Sequence, residues 1–416
     1  MTDTPASSST TARTLPPIAL VLLAAAGTFA VTMGARQSMG LFLGNMNTHT
    51  GLGLASISLA FAFGQLWWGL TQPFAGIVAD RVGAGRVLLV GVLLVALGTA
   101  LIPLMTTTAG LILAIGVLSA GGAGLAGPSV LMAATTRLIA PEKRGIATGI
   151  VNAGGSFGQF LFAPIAQGIT AAAGWIAAVQ SLAMISLLAL PAAFMLRGNS
   201  RHLASAGAAS AKPETTRQAV ARALADNSFR LLCAGFFVCG FHVAFIATHL
   251  PGVVAACQLP PAVGAWSLAV IGLFNIVGSF AMGWAVGRWR MKSLLSLVYA
   301  ARGVAVLVFM FAPKTEAVML IFAAVIGLTY LSTVPPTAGL VAKMFGPANM
   351  GTLFGIVMVS HQVGGFLGAY LGGKAFEATG SYDWMWYADI VLAVGAALVH
   401  LPIREARLAP RVAAAA

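Results

Sequence analysis

The sequence predicts an all-α integral membrane protein, with twelve transmembrane helices forming two pseudo-symmetric six-helix bundles. Three observations predict it: a composition too apolar for water, span-length apolar runs that recur from end to end, and an internal repeat. Of 416 residues, 59% are hydrophobic and only 8% are charged, whereas a soluble domain carries about 25% charged residues.

A spanning helix needs about 20 mostly apolar residues. Runs between charged or turn-rich breaks place helices near 18–44, 54–79, 85–106, 109–136, 146–169, 174–196, 230–252, 262–285, 293–313, 315–341, 350–372 and 385–403. The expected organisation is a cytoplasmic N-terminal tail over 1–17, a six-helix bundle over 18–196, a cytoplasmic linker over 197–229, a second bundle over 230–403 and a cytoplasmic tail over 404–416. Part of the linker, about 214–225, suits a surface helix. The first apolar run is too long for a cleavable signal, so it is expected to remain as the first helix.

Basic residues favour the cytoplasmic side of a membrane. Nineteen of the 23 Lys and Arg fall in the tails, the linker and alternate loops, whereas the opposite loops hold only Lys314 and Lys374. Both termini are therefore expected in the cytoplasm of a multi-pass protein of the cell (inner or plasma) membrane. Arg36 and Arg302 fall inside spans.

The repeat appears at an offset of 206, where Pro141/Pro347, Gly145/Gly351, Gly149/Gly355 and Gly158/Gly364 coincide, and at 207, where Gly76 and Arg81 meet Gly283 and Arg288. Parallel six-helix repeats suit alternating access around a central site.

The formal charge of +13 does not imply nucleic acid, because the basic residues separate apolar runs instead of gathering on one face. Cys233, Cys239 and Cys257 read as small buried hydrophobes. No metal motif, cofactor motif or ATP-binding loop is present. Gly122-Ala-Gly124-Leu-Ala-Gly127 follows no strand, so it reads as a close-packing surface. Gly364, Gly368 and Gly372 read the same way.

Gly76-Ile-Val-Ala-Asp80-Arg81-Val-Gly83-Ala-Gly85-Arg86 resembles the loop between the second and third helices of the major facilitator superfamily, and the likeness extends over essentially the whole chain. The resemblance implies that Gly76, Asp80, Arg81, Gly83 and Arg86 form a conformational clamp. The second copy keeps Arg288 but has Gly287 where the acid would stand. Trp68-Gly69-Leu-Thr-Gln72-Pro73, Gly34-Ala-Arg36-Gln37, Gly240-Phe-His242 and His249-Leu-Pro251 resemble the monocarboxylate and oxalate/formate porter branch. In the animal monocarboxylate carriers of that branch a lysine of the first helix helps bind the anion, and Arg36 looks like its counterpart. Charged residues of the eighth and eleventh helices are replaced here by Asn275, His361 and Gln362.

An intramembrane charge marks a functional site by default. None of the ten acids is expected at the midplane, and Asp389 is placed near the outer face. Two buried arginines without a carboxylate leave positive charge for an anion to satisfy. Arg36 is thus a substrate ligand or, failing that, a packing or gating residue. Arg302 is either a ligand or a residue that bonds backbone or snorkels to the interface. Gln72, His242, His361, Gln362, Tyr330 and Asn275 complete the candidate substrate site. His242 and His361 are also candidate proton carriers, against the alternative of neutral imidazoles joining helices. His249 could line an outer vestibule, and His400 reads as structural. Pro335 and Pro336 should kink the tenth helix.

The expected function is secondary active transport of a small organic anion, such as a monocarboxylate, with protons or a counter-anion as co-substrate and the lipid bilayer as surroundings. The alternative is an efflux carrier for drugs or other metabolites. An intramembrane enzyme lacks its motifs, and a sensor would append a signalling domain.

Overall fold

The computed structural model describes residues 18–136, 144–196, 216–346 and 350–406. The 1–17 tail, residues 197–215 of the linker, the end of the C-terminal tail, and Pro141 and Pro347 lie outside the described residues. All regular structure among the described residues is helical.

Composition alone singles out ten membrane-length stretches. Two further spans emerge from the geometry. Ala147–Met195 holds two helices, because Gly174 at φ 85 turns the chain without a loop. Asp383–His400 is the other, its hydropathy lowered by Asp383 and Asp389. The twelve spans are α1 (Ile18–Thr50), α2 (Leu54–Val82), α3 (Ala84–Leu104), α4 (108–136), α5 (144–173), α6 (175–195), α7 (Asn227–Ala256), α8 (Pro261–Val286), α9 (Met291–Phe311), α10 (Glu316–Phe345), α11 (Met350–Thr379) and α12 (Asp383–His400). A short surface helix, Thr216–Ala225, precedes α7.

Side chains close the helix starts where the sequence supplies them. Thr107, Asp226 and Thr315 accept from Gly110, Phe229 and Val318 N–H at the heads of α4, α7 and α10, each satisfying a backbone donor that the helix cannot. Phe74, Trp284, Phe311 and Leu398 point outward and are exposed, as an apolar belt facing lipid requires.

Inside each half, the tightest pairing repeats. In the first, α5 lies on α1 so closely that a Cβ on Gly158 would fall on the Ala30 carbonyl; in the second, α11 lies on α7 so that a Cβ on Gly364 would fall on that of Phe237. The offsets are 206 and 207, so the repeat seen in the sequence is a repeated helix contact. Gly368 and Gly372 extend it against Phe241 and the His249 ring, and Gly122 and Gly124 let α4 lie on α3 and α2. Lipid gives helices no hydrophobic reason to pack, so such close backbone approach supplies the association.

Between the halves, α2 crosses α11 and α5 crosses α8. Gln65 packs on Gly365 in one crossing, and Gln159 packs on Gly272 in the other. The tight inter-half contacts sit at mid-bundle and toward the face opposite the Arg81 loop, where Gly40 meets Ala247 and Gly373 meets Ser58. Toward the basic face, Gly76, Gly283 and Gly355 have nothing within 4 Å, and Gly149 meets only Phe280 at 3.9 Å.

A Gly364→Ala substitution should lower stability by about 1–3 kcal/mol through overpacking. Gly395→Ala, with nothing within 4 Å, should leave it unchanged or slightly raised. Thermal melting of the purified proteins in detergent compares them.

Candidate functional site

The centre of the bundle is built where α1 changes pitch. The α-helical turn pattern of Ile18–Gln37 gives way to a 3₁₀ segment, Ser38–Phe42. Arg36 and Gln37 are the last residues before that change. The Arg36 guanidinium donates to Gln65 Oε1 and lies 5.0 Å from the centre of the Trp68 ring. On the other side, Gln37 Nε2 approaches Gln159 Oε1 at 3.5 Å. The two glutamines at the inter-half crossings therefore flank the Arg36–Gln37 pair, one from α2 and one from α5.

Arg36 and Gln37 line a cavity of about 30 Å³ together with Gln65, Phe61, Ser119 and Thr248. That is room for about two waters, so a carboxylate would enter only after helices part. Arg36 is the only charge among the lining residues, and none of them is acidic.

The other expected ligands are distributed elsewhere, for reasons of helix phase and prior employment. Gln72 lies two helical turns from Gln65, about 10 Å toward the basic face, and accepts from Ser129 at 3.0 Å. Asn275 donates to Ser156 and accepts from the Leu331 N–H at 3.0 Å. Tyr330 is buried, its hydroxyl donating to the Val243 carbonyl at 3.0 Å. Gln362 packs on Gly69 at the α2–α11 crossing. His361 packs on Phe236, with ring centres 4.9 Å apart. None of these five lines the cavity. His249 bonds the Ala369 carbonyl at 2.7 Å and is fully buried, not part of a vestibule. His400 bonds Ala396 and stacks on Tyr299.

Two expectations need correcting. Asp389 is not near the outer face: it is 1% exposed, because α12 starts at Asp383 and carries it about 9 Å inward. His242 does not face the cavity. Its Nε2 lies 3.4 Å from Asp389 Oδ1, and its Nδ1 lies 3.4 Å from Arg302. Arg302 accordingly has a buried partner cluster, and only Arg36 remains without an acid. Arg302 also donates to the Thr329 and Tyr330 carbonyls.

Those carbonyls are free because α10 is interrupted between Glu316–Thr329 and Val334–Phe345. The Val334 N–H bonds the Leu331 carbonyl instead of that of Tyr330, Pro335 and Pro336 lack the N–H groups that would bond the Leu331 and Ser332 carbonyls, and Asn275 and Arg302 satisfy groups that the break exposes.

At the basic face, Gly83 at φ 95 joins α2 directly to α3. Arg81 and Arg86 are exposed, and the Asp80 side chain lies outside the described residues. Arg288 does not bridge to another helix: it bonds the Trp284 carbonyl and covers the Trp284 ring at 3.9 Å. The acid absent at Gly287 is replaced from the tail, where Glu405 accepts from the Lys292 N–H at 2.7 Å and pairs with Lys343 at 3.2 Å. At the opposite face, the Glu377 carboxylate of α11 accepts from the Ala55 N–H at 2.8 Å. One half thereby caps a helix of the other, whose own N-cap is Gly53.

The pattern for the superfamily matches residues 23–369 and, a second time, 232–415. The chain belongs to the major facilitator superfamily. It is a multi-pass membrane transporter of small molecules, not an enzyme. It is similar, at 24% identity over 94% of its length and 96% of the relative's, to an uncharacterised MFS-type transporter, YcxA, of Bacillus subtilis (strain 168). It is 25% identical to monocarboxylate transporter 13 of Rattus norvegicus, over 94% of this chain and 91% of that one. Monocarboxylate transporter 11 of Mus musculus is 26% identical over 86% and 82%. The crystal structure of a D-xylose–proton symporter shares the fold, with a TM-score of 0.64 at 15% identity over 94% of this chain and 98% of that one.

Sequence reasoning missed Gln65, Gln159, Trp68 and Asp389. The repeat held a signal for the glutamines: offsets of 207 and 206 carry Gln65 and Gln159 onto Gly272 and Gly365, the residues they pack against in crossed pairs.

Glu377→Gln should loosen the closed face. Labelling of a cysteine placed at Thr248, in a background without Cys233, Cys239 and Cys257, by an impermeant maleimide from that side should accelerate. An increase on the order of fivefold corresponds to about 1 kcal/mol of lost capping.

Proposed function

We propose that this transporter carries a small organic anion, a monocarboxylate in particular, across the cell (plasma or inner) membrane by alternating access, driven by a proton gradient or a counter-anion. The observation that carries the reading is the central cavity with Arg36 as its only charge and no acid in its lining. A guanidinium forks onto a carboxylate with two parallel hydrogen bonds, and the Gln65 carbonyl now facing it is a neutral stand-in that an anion would displace. Gln37, Gln65, Thr248 and, as the cavity opens, Gln72 would receive the rest of the ligand. The monocarboxylate transporters among the relatives agree with this reading. An efflux carrier of cationic drugs fits poorly, since the cavity offers no carboxylate to bind one.

The open glycines support the alternating-access part. Helices α2 and α11 run antiparallel and touch at Gly69 and Gln362; seven residues further along each stand Gly76 and Gly355. On the other crossing, eleven residues lead from Gly272 to Gly283 and ten from Gln159 to Gly149, again toward the basic face. These two repeat-related pairs lie toward the basic face, and in this reading they become the close contacts when that face shuts and the opposite one opens. The excess of basic residues that the sequence assigns to that side supports a cytoplasmic position for it and for both termini.

Uptake of labelled lactate, pyruvate, formate and oxalate into liposomes tests the substrate. Wild type should show saturable uptake, and Arg36→Gln should weaken it about 10- to 100-fold, the worth of a charged hydrogen bond, while the protein stays folded. Uptake indifferent to Arg36 would remove the anion assignment. Gly76→Val and Gly355→Val should each leave melting temperature near wild type, because their surroundings are open here, yet depress turnover strongly by blocking closure. Unchanged turnover would count against that closure.

A further inference from the structure

The cluster of Asp389, His242 and Arg302 lies inside the second half, away from the cavity, and the transport reading above leaves it without a task. Each of the three side chains is 1% exposed. Taking a carboxylate and a guanidinium out of water costs several kcal/mol per ion before pairing repays any of it, and such groups inside a membrane protein mark proton or ion pathways more often than packing.

The hydrogen positions follow from donor counting. Arg302 can only donate, so His242 Nδ1, 3.4 Å from it, is the acceptor. His242 Nε2 then carries the hydrogen and points at Asp389 Oδ1, 3.4 Å away. An imidazolium would set a second N–H against the guanidinium, so a proton entering the cluster has the carboxylate as its place. At 3.4 Å the His242–Asp389 pair is not a formed hydrogen bond, and among the described residues His242 Nε2 and both Asp389 oxygens are without one. Among the described residues the other titratable side chains around the cluster are Cys239 on α7, Tyr299 on α9, Tyr330 on α10 and, against Cys239, His361 on α11; none is a carboxylate. Arg302 is the link outward, because it also holds the Thr329 and Tyr330 carbonyls at the break in α10.

We propose that Asp389 is the proton-binding site that couples this carrier to a proton gradient, with His242 and Arg302 as positioning residues. The proposal rests on the anion-carrier reading and settles its coupling as proton symport. One proton from water on one side adds to an Asp389 oxygen and returns to water on the other; no heavy-atom bond changes. Protonation cancels the negative charge of the cluster and leaves Arg302 positive behind the break in α10, which raises the affinity of the cavity for an anion. By linkage, a bound anion raises the affinity of Asp389 for the proton by the same factor. The pair then crosses without net charge.

The test compares wild type with Asp389→Asn in lactate-loaded and empty liposomes. The variant should keep exchange of labelled lactate for internal lactate within about twofold, while accumulation driven by a pH gradient and the accompanying proton uptake, read by a trapped pH dye, fall about tenfold or more. Gradient-driven accumulation at the wild-type level would overturn the proposal. So would an equal loss of exchange and accumulation in folded variant protein, since that is the mark of a merely structural residue. If wild type moves no carboxylate at all, the anion reading fails, and the proton site is judged by infrared spectroscopy alone. A protonated-carboxyl band that titrates in wild type and is missing in Asp389→Asn supports the site; its persistence in the variant, or its absence from wild type, refutes it. Should Asp389→Asn not fold, Asp389→Glu takes its place: a displaced band supports the site, and an unmoved band refutes it.

Discussion

A guanidinium enclosed by apolar helices needs a negative or strongly polar partner, and that need organises both halves of this molecule. Arg302 meets it with a buried aspartate, relayed through His242, and with two carbonyls released by a broken helix. Arg36 has only the Gln65 carbonyl and the face of Trp68. The two arginines are thus solved differently, and the difference separates a site that is complete within the protein from one that is completed by something brought to it.

The backbone makes this possible. The α5–α1 and α11–α7 pairs approach through glycine at repeat-related positions and form rigid blocks, while the crossings between halves bring one glutamine and one glycine together in each direction. A bundle that is tight within halves and glycine-lined between them can rock without breaking either half. The central polar belt, Gln65–Arg36–Gln37–Gln159, lies where the two crossings meet, so any motion that separates the halves opens the residues that would hold a ligand. The break in α10 is held by Asn275 on one side and Arg302 on the other, which ties the second-half cluster to the same moving region.

Much of this was legible in the sequence. Span-length apolar runs are a property of composition, so the twelve helices fall close to their expected places, and the glycine register exposed the repeat. Arg36 stood out because a lone charge in an apolar run has few explanations. What was not legible depends on rotation about a helix axis, where one residue changes direction by about 100°. His242 was a candidate ligand, and it lies beside Asp389 and Arg302 instead of in the cavity lining. Asp389 looked peripheral because two residues of uncertainty in the start of α12 move it by half a turn. Asn275 looked free for a ligand because the Leu331 N–H that it accepts from is available only once α10 is broken, and Tyr330 because only the packed fold brings its hydroxyl to the Val243 carbonyl of α7. Gln65 and Gln159 drew no notice because an amide beside an apolar run is common; only the partner glycines from the other half give them meaning.

The central claim is that Arg36 recognises a carboxylate by its charge. Trp68 reports on that contact from 5.0 Å, so the most direct measurement is its fluorescence as lactate or the uncharged lactamide is added, with Trp68→Phe to isolate its signal. The account predicts a saturable change with lactate that lactamide does not produce and that vanishes in Arg36→Gln; equal responses to acid and amide would contradict it.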